Sequence, residues 1–149
     1  MENIQLIDDG MLEGLQLTAK KNERKRHNYD LRTSDRDSSQ RMLNAMKPGT
    51  KVPIHRHQHT SETVVCIHGC LDEVFYKEVP LKEGQEPPHD GEVAYDETGF
   101  VEIARYRICP KEGVYGIQVP KMMWHSVEVM EDSTIFEAKD GAYLPHPHL

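Results

Sequence analysis

The chain has 149 residues, with 18 Lys and Arg against 25 Asp and Glu for a net charge of −7, nine His and three Cys. That length suits one domain. No run approaches the ~18–20 consecutive apolar residues of a membrane span, and the Met1-Glu2-Asn3-Ile4 start shows neither a basic nor an apolar leader, so a soluble, unexported, cytoplasmic protein is expected. The acidic balance and a single basic run, Arg24-Lys25-Arg26-His27, argue against nucleic acid as a partner. Cys66, Cys70 and Cys109 are odd in number and form no Cys-x-x-Cys pair, which argues against a disulfide framework or a four-Cys zinc site and for reduced, structural thiols.

In chain order, Asp8 to Asn22 opens on acidic residues, places Met11, Leu12, Leu15 and Ala19 near helical spacing and closes on Lys20 and Lys21, predicting one short helix. Residues 23–39 are polar and read as a long connection with an edge strand at Tyr29 to Arg32. Strand-length apolar stretches then recur at Gln40 to Met46, Thr63 to Ile67, Leu71 to Tyr76, Val101 to Ile108, Val114 to Val119, Ser126 to Met130 and Thr134 to Ala138. They are separated by Gly, Pro and Asp-Ser punctuation with no helical pattern between them, which predicts an antiparallel sandwich or barrel. Residues 78–99 carry Pro80, Gly84, Pro87, Pro88, Gly91 and Gly99 with six acidic residues after Lys82, and are expected to form a solvated, mobile hairpin insertion. The His- and Pro-rich tail, 144–149, reads as a loose end and not as a ligand donor.

Chemistry concentrates in Gly49 to Gly69, GTKVPIHRHQHTSETVVCIHG. On an extended strand, residues two apart share a face ~6.5–7 Å apart, so His55 and His57 can converge on one ion, with His59 on the same parity. Glu62 opens the next apolar stretch, where a turn would bring its carboxylate beside them. A lone His-x-His pair is also common as plain polar surface.

The wider pattern decides between these readings. Gly49, five residues, His55-x-His57, four residues, Glu62, six residues and Gly69 resemble the first motif of the cupin superfamily. Pro120-Lys121-Met122-Met123-Trp124-His125 resembles the second, with Met122 in place of the usual Gly and Val129 in place of Asn. Gln40 to Gly49, Arg24 to Asn28, the Pro-x-x-x-Trp-His run and Phe136 to Tyr143 further resemble the WbuC-family cupin-fold metalloproteins. The resemblance implies an all-β cupin fold, a double-stranded β-helix or jelly-roll barrel with a short N-terminal α-helix. One cupin domain would cover 1–149: helix and connection at 1–39, barrel at 40–143 with the acidic insertion 78–99, and the tail.

The superfamily also implies His55, His57, Glu62 and His125 as ligands of one divalent transition metal, with Fe, Mn, Ni, Co and Zn all compatible with three imidazoles and a carboxylate. Small-molecule substrates and a homodimer are expected. WbuC-type proteins are associated with O-antigen and polysaccharide gene clusters, which points to sugar chemistry. A metal-dependent isomerase or epimerase is the first reading, with His59 as the base. An Fe(II)-dependent dioxygenase and a non-catalytic small-molecule-binding or sensory cupin are the alternatives. Arg41, Asn28, Tyr29 and Trp124 are candidate substrate contacts, although Arg41 also suits a surface ion pair and Trp124 a core position. Cys66 and His68 share the parity of Glu62 and are candidates to line the cavity.

Overall fold

In the computed structural model the described residues are 3–142, 144, 146 and 149. The predicted helix is α1 (Asp9–Lys21). Asp8 caps it by accepting the Met11 N–H at 3.0 Å, and Lys20 and Lys21 lie in its last turn, where cations complement the helix dipole. Leu15 and Ala19 bury against Leu43 and Ala45 of β2, and the Gln16 side chain bonds the Ser133 carbonyl and the Thr134 hydroxyl of β6. The helix is therefore packed on the outside of the sheet.

The strands are β1 (Arg26–Asp30), β2 (Ser39–Met46), β3 (Glu62–Glu78), β4 (Phe100–Ile108), β5 (Gly116–Val119) and β6 (Trp124–Asp140), all paired antiparallel. Their order is β1-β2-β6-β3-β4, with β5 on β3. Two pairs of short stretches expected from the sequence are each one long strand. His68-Gly69 and Asp132-Ser133 read as turns, but they lie across from each other in the β3–β6 ladder, which shifts register at Cys66/His68, His68/Cys70 and Cys70/Leu71 without ending. These irregularities are bulges, and bulges bend a strand.

The bend is what makes a barrel. Glu62 and Phe75 lie in opposite halves of β3 and would be about 40 Å apart on a straight strand. Instead, Glu62 Oε1 is 4.0 Å from His125 Nε2, and the Phe75 ring centroid is 6.3 Å from that of His125. β3 and β6 thus fold over together. Their first and last halves form one layer with β1, β2 and β5, and their remaining halves form a second layer with β4. Val64, Leu71, Phe75, Ile108, Val129 and Ile135 are buried in one cluster between the layers. This is the double-layered all-β cupin barrel, with one short helix.

The insertion differs from its expected solvated hairpin. Val93 and Ala94 are 3% and 4% exposed, Ala94 N–H donates to the Ile54 carbonyl at 2.8 Å, and Arg56 N–H donates to the Glu92 carbonyl at 2.8 Å. The cause is local: Asp90 accepts the Glu92 and Val93 N–H groups, both at 2.9 Å, and that turn brings Val93 alongside His55 and Ala94 into the cluster of Ile54 and Trp124. Of the expected loose tail, Pro145, Pro147 and His148 lie outside the described residues, while His146 Nε2 is 2.5 Å from Asp90 Oδ2.

Two backbone positions carry the motif turns. Gly69 has φ +106°, and a Cβ there would lie 2.2 Å from Ser133 Oγ and 2.6 Å from the Asp132 carbonyl. Met122 has φ +70° although it has a side chain, so the left-handed turn expected of glycine is kept and its N–H reaches the His57 carbonyl at 2.8 Å. Gly69→Ala should cost about 3 kcal/mol or more in urea unfolding, since positive φ and a backbone clash coincide. Gly84→Ala, at φ +82° with nothing within 4 Å, should cost only about 1 kcal/mol. Equal effects would contradict the close approach at the bend. Met122→Gly removes the strain of a side chain at positive φ and should raise Tm by about 2–4 °C.

Candidate metal centre

The site is assembled by main-chain pairing. His55 N–H donates to the His125 carbonyl at 3.0 Å and His125 N–H donates to the His55 carbonyl at 2.8 Å, so the two histidines of the separate motifs face each other across a short bridge. Val93 of the insertion pairs with His55 as well. His57 follows, held through its carbonyl by the Met122 turn.

Each bridging ring is then aimed by the carbonyl two residues before it. His55 Nδ1 is 2.8 Å from the Pro53 oxygen and His125 Nδ1 is 2.9 Å from the Met123 oxygen. A ring that donates its Nδ1–H presents a lone pair on Nε2, the arrangement that orients histidine ligands in metal sites. The three rings lie 4.3–5.4 Å apart between centroids, and one ligand nitrogen from each falls within 4.8 Å of the others. Two donors bound to one ion at ~2.1 Å are about 3–4 Å apart, so the cluster needs little adjustment to hold one.

Glu62, only 5% exposed, completes the group: Oε2 is 3.2 Å from His57 Nε2 and Oε1 is 4.0 Å from His125 Nε2. The shorter approach lacks hydrogen-bond alignment, and Nε2 of both His57 and His125 is buried without a hydrogen-bond partner. Such orphaned atoms are costly unless something else satisfies them, and lone pairs converging with a carboxylate suit a cation. Burial, then repulsion from His125 and His57, holds the His55 pKa well below the ordinary imidazole value, and burial also lowers that of His125. Burial works to raise the Glu62 pKa, but the contacts and charges of His57 and His125 prevail and keep it low. A metal ion takes imidazole in its neutral form and carboxylate in its ionised form, and the shifts of His55, His125 and Glu62 run in those directions.

Beside these residues lies a cavity of about 70 Å³, lined among others by Asn28, Gln40, Asn44, Glu62, Glu137 and Lys139. Asn28 Oδ1, Gln40 Oε1 and Asn44 Oδ1 are buried without a hydrogen-bond partner. Burial, then the charge of Glu62, pushes the Glu137 carboxyl up to about 8, against a bond from Asn44 that lowers it. A wider recess of about 280 Å³ opens outside, bordered by His57, His59, Thr60 and Asp140.

The structure brings His55, His57, His125, Glu62 and Asn28 together. His59 is exposed on the rim of the outer recess. Three expected substrate contacts lie elsewhere. Tyr29 alternates with Asn28 along β1 and so turns to the helix side, packing against the Leu15 and Leu43 cluster, with Gln5 bonded to its hydroxyl. Arg41 is held by Asp37 at 2.6 Å. Trp124 is buried with Ile54 and Ala94, under the Arg56 guanidinium at 4.3 Å. Cys66 is in the apolar core, and His68 Nε2 bonds Thr134 Oγ1 at 2.8 Å near α1, so neither lines the cavity.

Gln40, Asn44 and Glu137 were not singled out from the sequence. The signal was there for the first two: polar residues four apart, on one face of a stretch, Gln40 to Met46, of which all but Arg41 is buried.

The fold is shared with solved structures at low identity. The cupin domain of Schizosaccharomyces pombe Cnp3 matches with TM-score 0.51 at 12% identity, over 79% of this chain and 66% of that one. KdgF from Halomonas sp. matches with TM-score 0.51 at 10% identity, over 95% and 90% of the two chains. CapF from Staphylococcus aureus, a capsular polysaccharide assembling protein, matches with TM-score 0.52 at 17% identity, over 83% and 29%. The chain therefore spans under a third of CapF and 26% of E. coli ycfD, which matches with TM-score 0.50. No curated protein sequence matches it. Among the described residues no helix is long and apolar enough to cross a membrane. Residues 7–83, from α1 through β1 and β2 and the first motif to the end of β3, match the family described as Domain of unknown function (DUF6016), and the chain belongs to that family.

Proposed function

We propose that this chain is a metal-dependent cupin enzyme, in which His55, His57, Glu62 and His125 hold one divalent transition ion, and the outer recess, which shares His55, His57 and Lys139 with the inner cavity, takes a sugar-derived molecule whose hydroxyls reach into that cavity. The observation that carries the reading is the pair of buried, unpartnered Nε2 atoms of His57 and His125 converging on the Glu62 carboxylate. When bound, such an ion polarises a carbonyl or hydroxyl oxygen and stabilises the charge that develops on it.

The rest of the work falls to the protein. An unsatisfied buried acceptor costs about 1–3 kcal/mol, and Asn28, Gln40 and Asn44 offer three of them to ligand hydroxyls, which would relieve that cost on entry. Glu137 lines the same cavity and is the residue placed to hold or deliver a proton at a substrate carbon or oxygen. It takes the role that parity alone suggested for His59, because His59 faces solvent. Isomerisation or epimerisation needs this combination of a held oxygen and a proton moved beside it. Polysaccharide metabolism is favoured as the setting by the WbuC resemblance, and the fold shared with CapF is compatible with it.

Elemental analysis should show that His57→Ala and His125→Ala each lose the equivalent of one bound ion, with affinity down ~10-fold or more. Occupancy unchanged in both would overturn the ligand set. In D₂O, the metal-loaded protein should exchange a C–H proton of sugar nucleotides, and Glu137→Gln should slow that exchange by ~100-fold or more with metal content unchanged. Oxygen consumption on Fe(II) with diol substrates would replace this reading by a dioxygenase, and saturable binding with neither signal by a binding protein.

A further inference from the structure

A second cluster of ligand-type side chains lies away from the barrel mouth. Cys70 leaves the β3 bend directly after Gly69, and its N–H is fixed by Ser133 Oγ at 3.0 Å. Cys109 follows the end of β4 and leads into a single 3₁₀ turn, Pro110–Glu112. That turn is closed tightly. Glu112 N–H donates to the Cys109 carbonyl at 2.9 Å, Gly113 N–H donates to the Pro110 carbonyl at 3.0 Å with Gly113 at φ +82°, and Cys109 N–H pairs with the Val114 carbonyl at 2.8 Å. One turn therefore carries the Glu112 carboxylate back over the Cys109 side chain. The two sulfurs and a carboxylate oxygen all lie within 4.8 Å of one another.

We infer that Cys70, Cys109 and Glu112 form a second cation site, distinct from the histidine centre and selective for a thiophilic divalent ion of the zinc class. One sulfur from β3, one from the residue after β4 and a carboxylate supplied within one turn of Cys109 give three corners of a tetrahedron, with water as the fourth ligand. Burial is graded in the right direction: Cys70 and Cys109 are 7% and 5% exposed, whereas Glu112 is exposed, so the carboxylate marks the entry side. Two thiolates and a carboxylate around a divalent ion leave a net charge of −1. The Arg107 guanidinium, fixed 2.5 Å from Asp72, interacts electrostatically with both Cys70 and Glu112.

Cys66 takes no part, because its sulfur is directed to the His68 carbonyl at 3.2 Å. Without an ion, burial and then the bond from Cys109 push the Cys70 thiol up to about 11, which makes it a poor nucleophile at neutral pH. Loading then converts two thiols to thiolates and releases two protons to solvent for each ion bound.

Cobalt(II) separates this site from the histidine centre, since a thiolate-to-cobalt charge-transfer band in the near ultraviolet requires sulfur ligands and the histidine–glutamate set has none. Reduced apo-protein titrated with Co²⁺ should develop that band, Zn²⁺ should bleach it, and His57→Ala should retain it. Cys70→Ser and Cys109→Ser should abolish it. Glu112→Gln, an exposed change that leaves the fold intact even if a cysteine variant does not fold, should weaken Co²⁺ binding by ~10-fold or more. No band in the reduced, folded wild type, or Co²⁺ binding unaltered by Glu112→Gln, would overturn the assignment.

Discussion

Gly69 lies so close against Ser133 that β3 has no room for a side chain at that point, and the rest of the molecule depends on this contact. It lets β3 and β6 fold over as a pair, so that both halves of each strand enclose one core. Without the fold, Glu62 at the start of β3 and His125 at the start of β6 would be separated by the length of a strand. With it, they are 4.0 Å apart. The meeting of Glu62 with the histidine cluster is thus a consequence of how two strands bend, and Gly69 is a structural residue whose effect is felt at the opposite end of the barrel.

The barrel interior is unusually acidic for a core. Glu62, Glu73 and Glu137 interact with one another, and Glu73, at 2% exposure with Oε2 unpartnered, has its pKa pushed well above the usual carboxylate range by burial and then by the charges of the other two. A buried carboxylate takes up a proton where burial outweighs the charges that favour its anion, as it does at Glu137 despite Lys139 and Arg26. Only Glu62, beside His57 and His125, is held in the anionic form. The histidine cluster therefore sorts three similar side chains into one ligand-type anion and two neutral acids, and a bound cation would deepen that difference.

The insertion and the second motif act on the same short segment. Val93 pairs with His55, Glu92 accepts from Arg56, and Met122 reaches the His57 carbonyl, so the His-x-His run is held from both sides by main-chain bonds although it belongs to no long strand. That support helps to hold a left-handed methionine where the motif leads one to expect glycine: its N–H donates to the His57 carbonyl at 2.8 Å. The acidic composition of 78–99 suggested a solvated hairpin and concealed Val93 and Ala94, which are buried beside His55 and Ile54.

By itself the sequence determined the alternation of short apolar stretches, the helix with its caps, and the motif spacing that placed His55, His57 and Glu62 in one run and His125 in another. These are local properties, set by the period of a strand and by which residues tolerate a turn. Only the tertiary structure decided that His68-Gly69 bends a strand and does not end it, that Gln40, Asn44 and Glu137 face the cavity while Arg41, Tyr29 and Trp124 do not, and that Cys70 meets Cys109 and Glu112. Each of these depends on which strand lies opposite which, and pairing between distant segments is governed by the closure of the whole barrel and not by any stretch within it.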